Sequence, residues 1–264
     1  MSRVIFGPTG LGGVDDAVSN LEVFHKLGFR ACEVLFVRNV YIKKDEAIEI
    51  GKAAKKLGMA LSVHAPYYVN LNSKEKEKIE ASKVRILKSC EIGHYLGARK
   101  IVFHSGFYSD MTSEKAREII KEGILDILKE IKKNKWDVDI CVEVMGKKNV
   151  FGSIEEVSWL VKETGCGFCI DFAHILARYG ENMFEEVQKA FPQKNWQCHF
   201  SGIVYGDKGE KNHIPTPKDE WRKLLEFLKG LDKDVVIICE SPMPVEDSEI
   251  GERLARELGI KGFD

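Results

Sequence analysis

Eight side chains that can bind a metal ion recur in one setting along this 264-residue chain. A short apolar run ends in His64, and Pro66 then breaks it. The same grammar delivers His104 after residues 100–103, Glu143 after 139–142, Asp171 after 167–170, His199 within 196–200 and Glu240 after 235–239. His174 follows Asp171 by three residues, and His213 lies in the polar stretch 202–215. Each alone has an ordinary explanation. A histidine at a strand end is usually a hydrogen-bonded core residue, and a glutamate usually pairs with a lysine or arginine. The other two histidines, His25 and His94, fall on helical stretches and carry no chemistry in this reading.

Taken together the eight ask for more. Three carboxylates brought within about 6 Å of one another, at an effective dielectric near 20, repel by about 3 kcal/mol per pair. Only Lys147 and Lys148, just past Glu143, offer positive charge beside these positions. Divalent cations are the simpler compensation. Imidazole and carboxylate donors without cysteine suit zinc or manganese in an open, catalytic site. One ion takes about four ligands, so eight candidates imply two or three ions. Paired ions would clamp the attacking and leaving oxygens of a phosphoryl displacement. That chemistry is phosphodiester hydrolysis.

Such residues meet only if the elements carrying them deliver their ends to one face. Apolar runs at 4–7, 32–36, 60–64, 100–104, 139–143, 167–171, 196–200 and 235–240 read as eight strands. Helical stretches alternate with them: from Asp15 or Asp16 to Leu27, at 44–57, from Asn72 or Ser73 to Leu96, at 113–134, from Ser153, around 184–191, from Thr216-Pro217 to Leu228, and at 248–258. Ser153 and Glu156 have capping-box spacing. Strands so short and uniformly apolar are buried on both faces, which calls for a parallel sheet covered by helices. Eight units at about 30-residue spacing close most naturally into a (β/α)8 TIM barrel of the α/β class, here a single domain over 1–264. A doubly wound open sheet is the alternative, but it would not need so many strands to end in polar ligands.

The totals exclude several classes. The net charge of −1 gives no overall pull toward polyanions, so nucleic-acid contact would need a local basic rim. No apolar run approaches a bilayer's thickness, and the first residues lack a secretion signal, so a cytoplasmic protein without membrane contact is expected. The seven cysteines sit mostly in apolar runs and read as buried thiols. The spacing of Cys166 and Cys169 has no second pair to make a zinc site. The glycine-rich stretch 7–13 follows a strand but lacks the lysine of a phosphate-binding loop and reads as a plain connection.

The motifs also carry a resemblance. His64-Ala-Pro-Tyr67-Tyr-Val-Asn70, His104-Ser-Gly106, Val142-Glu143, Ile170-Asp171-Phe-Ala-His174, His199, His213 and Cys239-Glu240 run in the order found in endonuclease IV, the zinc-dependent apurinic/apyrimidinic endonuclease of base excision repair. Across nearly the whole chain it resembles a divergent member of that family. The resemblance implies that Glu143 is catalytic and bridges two ions. It implies that His64 and His104 complete the first site, that Asp171, His199 and Glu240 complete the second, and that His174 and His213 hold a third. Tyr67 would press against the sugar of a flipped-out abasic nucleotide, with Arg38, Asn39 and Tyr41 as further DNA-contact candidates. The partner implied is DNA containing abasic sites, the cofactor two or three zinc ions or manganese, and the working unit a monomer. There are departures. Lys211 stands where the family has an aspartate ligand, with Glu210 beside it as a substitute, and Phe200-Ser201-Gly202 and His104-Ser-Gly106 replace the family's usual residues.

Two other readings stay open. Sugar isomerases and epimerases of the xylose-isomerase-like barrels share the quartet Glu143, Asp171, His199 and Glu240 around one divalent metal, and they have less need of His104, His174 and His213. A third reading is a binding protein that keeps a metal site without turnover.

Overall fold

The computed structural model describes residues 2–262. Ten strands follow one another: β1 (Arg3–Pro8), β2 (Ala31–Leu35), β3 (Ala60–His64), β4 (Lys100–Phe103), β5 (Asp139–Glu143), β6 (Gly167–Asp171), β7 (Asn195–Phe200), β8 (Gly202–Gly206), β9 (Gly209–Ile214) and β10 (Asp234–Cys239). Eight of them pair in parallel in the order β1-β10-β7-β6-β5-β4-β3-β2, and β8 pairs with β9 as a separate antiparallel hairpin. The two ends of the eight-stranded sheet come together. Arg30 N donates to Phe6 O at 3.1 Å and Gly10 N to Glu33 O at 2.9 Å, with a bridge between Thr9 and Glu33. The result is a nearly closed (β/α)8 barrel.

Helices α1 (Ala17–Lys26), α2 (Lys44–Lys56), α3 (Lys76–Leu96), α4 (Ser113–Asn134), α5 (Ile154–Thr164), α6 (Phe172–Tyr179), α7 (Phe184–Ala190), α8 (Lys218–Lys229) and α9 (Pro244–Glu257) cover the outside. The main core lies between their apolar faces and the outer face of the sheet, where Leu21, Phe29, Ile50, Ile86, Ile124 and Trp221 are buried. Among the described residues, no helix is long and apolar enough to cross a membrane.

The inside of the barrel is different. Its apolar residues form two small clusters, one of Ile5, Ala31 and Ile238, the other of Val102, Cys141 and Cys169. Buried polar residues are present as well: Glu33, Ser62, Gln197 and His199. Small side chains such as Ala31, Ser62 and the two cysteines leave the volume that a buried glutamate and imidazole occupy.

Local details differ from the sequence reading. The stretch 202–214 is a hairpin, because residues 203–205 and 210–213 pair across a turn at Asp207-Lys208. A short helix, α6, follows β6 directly. The start of α3 is at Lys76, not at Asn72 or Ser73; Asn72 is buried and donates from its amide to Phe107 O at 2.9 Å and Tyr108 O at 3.0 Å. Pro217, not Thr216, occupies the cap of α8, because Thr216 is used elsewhere: its hydroxyl accepts from Gly202 N and its own N–H donates to Asp247. The last helix starts at Pro244, ahead of Ser248. The capping box at Ser153 and Glu156 forms as its spacing implies.

At the seam Gly7 has no room for a side chain, since a Cβ there would lie 1.8 Å from Ala31 O. Gly7→Ala must push β1 from β2, and overpacking of this kind costs about 3 kcal/mol. Urea melts should show that loss; a variant within about 0.5 kcal/mol of the parent would mean that the seam yields freely.

Candidate metal centre at the strand ends

The parallel sheet brings the C-terminal ends of its strands to one rim, and the register sets which side chains meet. Asp171 is opposite His199 and His199 opposite Ile238, so β6, β7 and β10 end level with one another. His64 pairs with Val102, which places His104 one step higher on the neighbouring strand. A cavity of about 400 Å³ opens there, lined by His64, Tyr67, His104, Glu143, His174, Glu210, His213 and Glu240 among others.

Three groups of possible ligand atoms, each within 4.8 Å of one another, form at this rim: His64, His104 and Glu143; Glu143, Asp171, His199 and Glu240; and His174, Glu210 and His213. All eight sequence candidates are among them, and Glu143 belongs to two groups. One carboxylate oxygen of Glu143, Oε2, lies 3.2 Å from His64 Nε2 and 3.0 Å from His104 Nε2. The other, Oε1, lies 3.4 Å from His199 Nδ1 and 3.3 Å from His174 Nδ1. Among the described residues, no lysine or arginine forms an ion pair with any of these carboxylates.

Four of the five histidines, His64, His174, His199 and His213, are held from behind. His64 Nδ1 donates to Ala65 O at 2.8 Å and His174 Nδ1 to Val144 O at 3.0 Å. A carbonyl can only accept, so Nδ1 carries a proton in both, and Nε2 is the nitrogen turned to the neighbouring carboxylate, Glu143 Oε2 at 3.2 Å for His64 and Glu210 Oε2 at 3.5 Å for His174. His213 Nδ1 is 2.7 Å from the Ser201 hydroxyl, leaving Nε2 toward Glu210. In His199 the roles reverse: Nε2 lies 3.1 Å from Glu33 Oε1 and Nδ1 faces the rim. A histidine anchored through one nitrogen and open at the other is the arrangement metal ligation requires. Asp171 follows the same logic. As the cap of α6 it accepts from His174 N through Oδ1 at 2.7 Å, which explains the three-residue spacing. Its Oδ2 stays free. Glu143 Oε1, Asp171 Oδ2 and His199 Nδ1 are buried without a hydrogen-bond partner, and all three belong to the middle group. Orphaned donors of this kind fit a divalent cation.

The surrounding loops are tied to one another. Asn70 Oδ1 accepts from Asn72 N and Phe107 N, and Leu71 N donates to Ser105 O, so the loop after His64 is clipped to the loop after His104. Arg178 donates to Lys147 O at 2.7 Å and Val150 O at 3.1 Å, which fixes the loop after Glu143. The hairpin rests on that loop through Lys148 N to Lys208 O and Glu210 N to Gly146 O.

Protonation reflects the crowding. Burial opposes charge on His64 and His174, but neighbouring carboxylates, Glu143 for the first and Asp171 with Glu143 for the second, push them up to about 9 and about 10. Burial also opposes charge on Glu143 and Glu240. His104, His174 and His199 outweigh it for Glu143, which stays well below the carboxylate range, and His199 brings Glu240 down to about 2. Asp171 is shifted up, by burial and by Glu143 and Glu240 against the pull of His174.

Two contributors were not among the eight. Glu210 takes the position beside His213, with Oε2 3.5 Å from His174 Nε2, while Lys211 points outward and is exposed. Glu33 lies mid-strand on β2, fully buried below the rim; its signal was a lone acid inside an apolar strand. Tyr67 does reach the cavity, with its ring 5.3 Å from that of His64 and 5.5 Å from that of His104. Burial and the carboxylates of Glu240, Glu143 and Glu33 push its phenol up, so it stays a donor. Asn39 and Tyr41 do not line the cavity. Asn39 is exposed on the loop after β2, and Tyr41 packs edge-on against Phe36 with its hydroxyl toward Gly12 O.

The sequence profile described as xylose isomerase-like TIM barrel matches residues 21–259, and the chain belongs to that family. An uncharacterised protein of Methanocaldococcus jannaschii is 35% identical over 97% of this chain and 98% of its own length. A probable endonuclease 4 of Mycoplasmopsis agalactiae is 27% identical over 71% of this chain and 72% of its own. Among solved structures, SacUVDE superposes with a TM-score of 0.75 at 17% identity, covering 98% of this chain and 99% of that one. Endonuclease IV from Thermus thermophilus gives 0.72 at 21%, covering 96% and 98%. A D-psicose 3-epimerase gives 0.68 at 18%, covering 98% and 97%. The chain is thus a divergent relative of endonuclease IV on a barrel that sugar epimerases share.

Two expectations follow. Gly209, at φ +90°, abuts the loop after Glu143, where a Cβ would lie 2.1 Å from Gly146 O. Gly209→Ala should displace Glu210 and His213 and remove the third group alone, so elemental analysis should find about one fewer ion per chain. An unchanged ion count would separate the hairpin from the centre. The second concerns pH. In chelator-treated protein, His64 and His174 hold protons in the folded state that the unfolded chain releases near pH 6.5. Their contribution is complete below pH 6.5 and is lost as pH rises through about 9 to 10. The melting temperature of chelated protein should fall across that window, and that of ion-loaded protein should not, because ions take the place of those protons. A melting temperature that rises with pH in the chelated protein would contradict this.

Proposed function

We propose that this protein is a zinc-dependent phosphodiester hydrolase that cuts DNA on the 5′ side of abasic sites. One observation carries the reading: three ligand groups share a single rim, and Glu143 is common to two of them. A one-metal sugar enzyme needs only the middle group. In this reading His64, His104 and Glu143 hold one ion, Glu143, Asp171, His199 and Glu240 a second, and His174, Glu210 and His213 a third. Manganese is the alternative to zinc for such oxygen and imidazole donors. Bound there, the ions would supply Lewis-acid charge for the phosphate oxygens and make a water acidic enough to act at neutral pH.

The chain's own residues do the rest. Glu143 sits between two groups and keeps them at a fixed separation. The anchored histidines hold their open nitrogens in place before substrate arrives, which lowers the reorganisation needed at the moment of reaction. Tyr67, a neutral phenol at the cavity mouth, would donate to a phosphate or sugar oxygen and fill the space left by a missing base. Around it the rim exposes Tyr68, Phe107, Tyr205 and Val37. The three aromatic rings among these, of Tyr68, Phe107 and Tyr205, are surfaces on which unstacked bases can stack. Lys147, Lys148, Lys208 and Lys211 are exposed on one side of the rim and would meet the phosphate backbone. This is the local basic patch that the near-neutral total charge requires.

The middle group on its own favours a second reading. Glu143, Asp171, His199 and Glu240 around one divalent ion could shuttle a proton beside a sugar carbonyl.

Purified protein should nick a duplex carrying one abasic site, on its 5′ side, and lose that activity with chelator. Glu143→Gln should lower the rate by about 10³-fold or more and reduce the ion content while the fold persists. No nicking by protein carrying two or three ions per chain would refute the nuclease reading. About one ion per chain together with ketose epimerisation would establish the sugar reading instead.

A further inference from the structure

Among the described residues, Glu33 is the one carboxylate in contact with the candidate ligands that belongs to none of the three groups. It is fully buried inside the barrel, on β2. Its Oε2 accepts from the Ser62 hydroxyl at 2.7 Å, and Gln197 Nε2 donates to that hydroxyl at 3.4 Å. Its remaining contact is His199 Nε2, at 3.1 Å from Oε1 and 3.3 Å from Oε2. Among the described residues, no lysine or arginine pairs with it. A buried carboxylate so placed destabilises a fold that an apolar residue of similar size would stabilise. Its position therefore calls for a gain elsewhere.

We propose that Glu33 is a positioning residue: it fixes the His199 imidazole with its proton on Nε2 and its Nδ1 lone pair aimed at the middle ligand group. A carboxylate accepts only, so the ring nitrogen beside it must carry the proton. Nδ1 then lies 3.4 Å from Glu143 Oε1 and 3.5 Å from Glu240 Oε2, facing the ligand atoms of the middle group. The other anchored histidines lean on neutral acceptors: the Ala65 and Val144 carbonyls and the Ser201 hydroxyl. His174 Nδ1 also lies near Asp171 Oδ2, at 3.2 Å, but that carboxylate is itself in a ligand group. Among these histidines His199 is the one anchored by a carboxylate outside all three groups. An anion behind the ring raises its basicity and its strength as a ligand. The ion held by Glu143, Asp171, His199 and Glu240 is therefore the tightest of the three. Ser62 sets the carboxylate's direction, and the small residues of the barrel interior give it space.

This inference rests on the metal-centre part of the proposed function and is independent of the DNA substrate. Its test reads ion binding, not cleavage. Chelator-stripped protein is titrated with Co²⁺ against a competing chelator, following the visible cobalt spectrum and the stoichiometry. Glu33→Gln keeps an acceptor and loses the charge; Glu33→Leu loses both. The tightest class of site should weaken about 10-fold in the first and about 100-fold in the second, with the weaker sites unchanged. Ser62→Ala should give a smaller loss at the same site. Stripped Glu33→Leu should melt at or above the parent, whereas a purely structural role would lower that melting temperature. Unchanged cobalt affinity in Glu33→Gln and Ser62→Ala overturns the proposal, whether or not Glu33→Leu folds. Parent protein that binds no cobalt overturns it together with the metal-centre reading. Cobalt bound normally by every variant, with abasic DNA still cut, overturns this inference alone.

Discussion

Too many carboxylates meet in one place for this barrel to be held by its apolar contacts alone. Glu33, Glu143, Asp171, Glu210 and Glu240 converge on one rim and the interior just below it, and among the described residues no lysine or arginine pairs with them. At separations of about 6 Å each pair costs about 3 kcal/mol, so three pairs already approach the stability of a whole domain, about 5–15 kcal/mol. Histidines take up part of the charge by holding protons well above their usual range. Divalent cations would take up the rest, with imidazoles returned to their neutral, ligating form. Ion binding would therefore be linked to folding stability at this rim.

The architecture serves that concentration of charge at each level. A parallel sheet directs every strand end to one face, and the register levels β6, β7 and β10. The apolar core is displaced outward, between sheet and helices, so the interior can accept polar groups among small residues. Loop carbonyls, a hydroxyl and a buried carboxylate then anchor the histidines one by one. The hairpin β8–β9 completes the third group from outside the barrel. It is held there by packing against α6 and by its hydrogen bonds with the loop after Glu143, outside the eight-stranded sheet.

Much of this was legible in the residues. Short apolar strands, six of them ending in or beside a histidine or an acid, pointed to the barrel and to six ligand candidates, with His174 three residues past Asp171 and His213 in the polar stretch that follows His199. Tyr67 was legible because it follows His64 across Pro66. What escaped had physical causes. The hairpin is short, polar and glycine-bounded, so its alternation looks like a loop; it packs on α6 and on the loop at Gly146, contacts that local sequence does not reveal. Glu210 was visible only as a neighbour of Lys211, because a register set by a bulge between Val204 and Tyr205 decides which of the two faces inward. Glu33 lies two residues before the end of its strand, where a search for ligands at strand ends does not reach. Asn72 and Thr216 looked like helix caps, but tertiary hydrogen bonds claimed them. Asn39 and Tyr41 were chosen by position after the second strand; their loop meets the rim at Val37, whose carbonyl accepts from Tyr67 N, while these two side chains lie outside the cavity lining.

Anomalous X-ray diffraction at the zinc edge, on crystals of protein purified without chelator, tests the central claim most directly. The account requires electron-density peaks within bonding distance of His199 Nδ1, Glu143 and Asp171, and a further peak beside His64 and His104. A rim in which these same side chains touch only water, one another or an incoming lysine, with no anomalous signal, would contradict it.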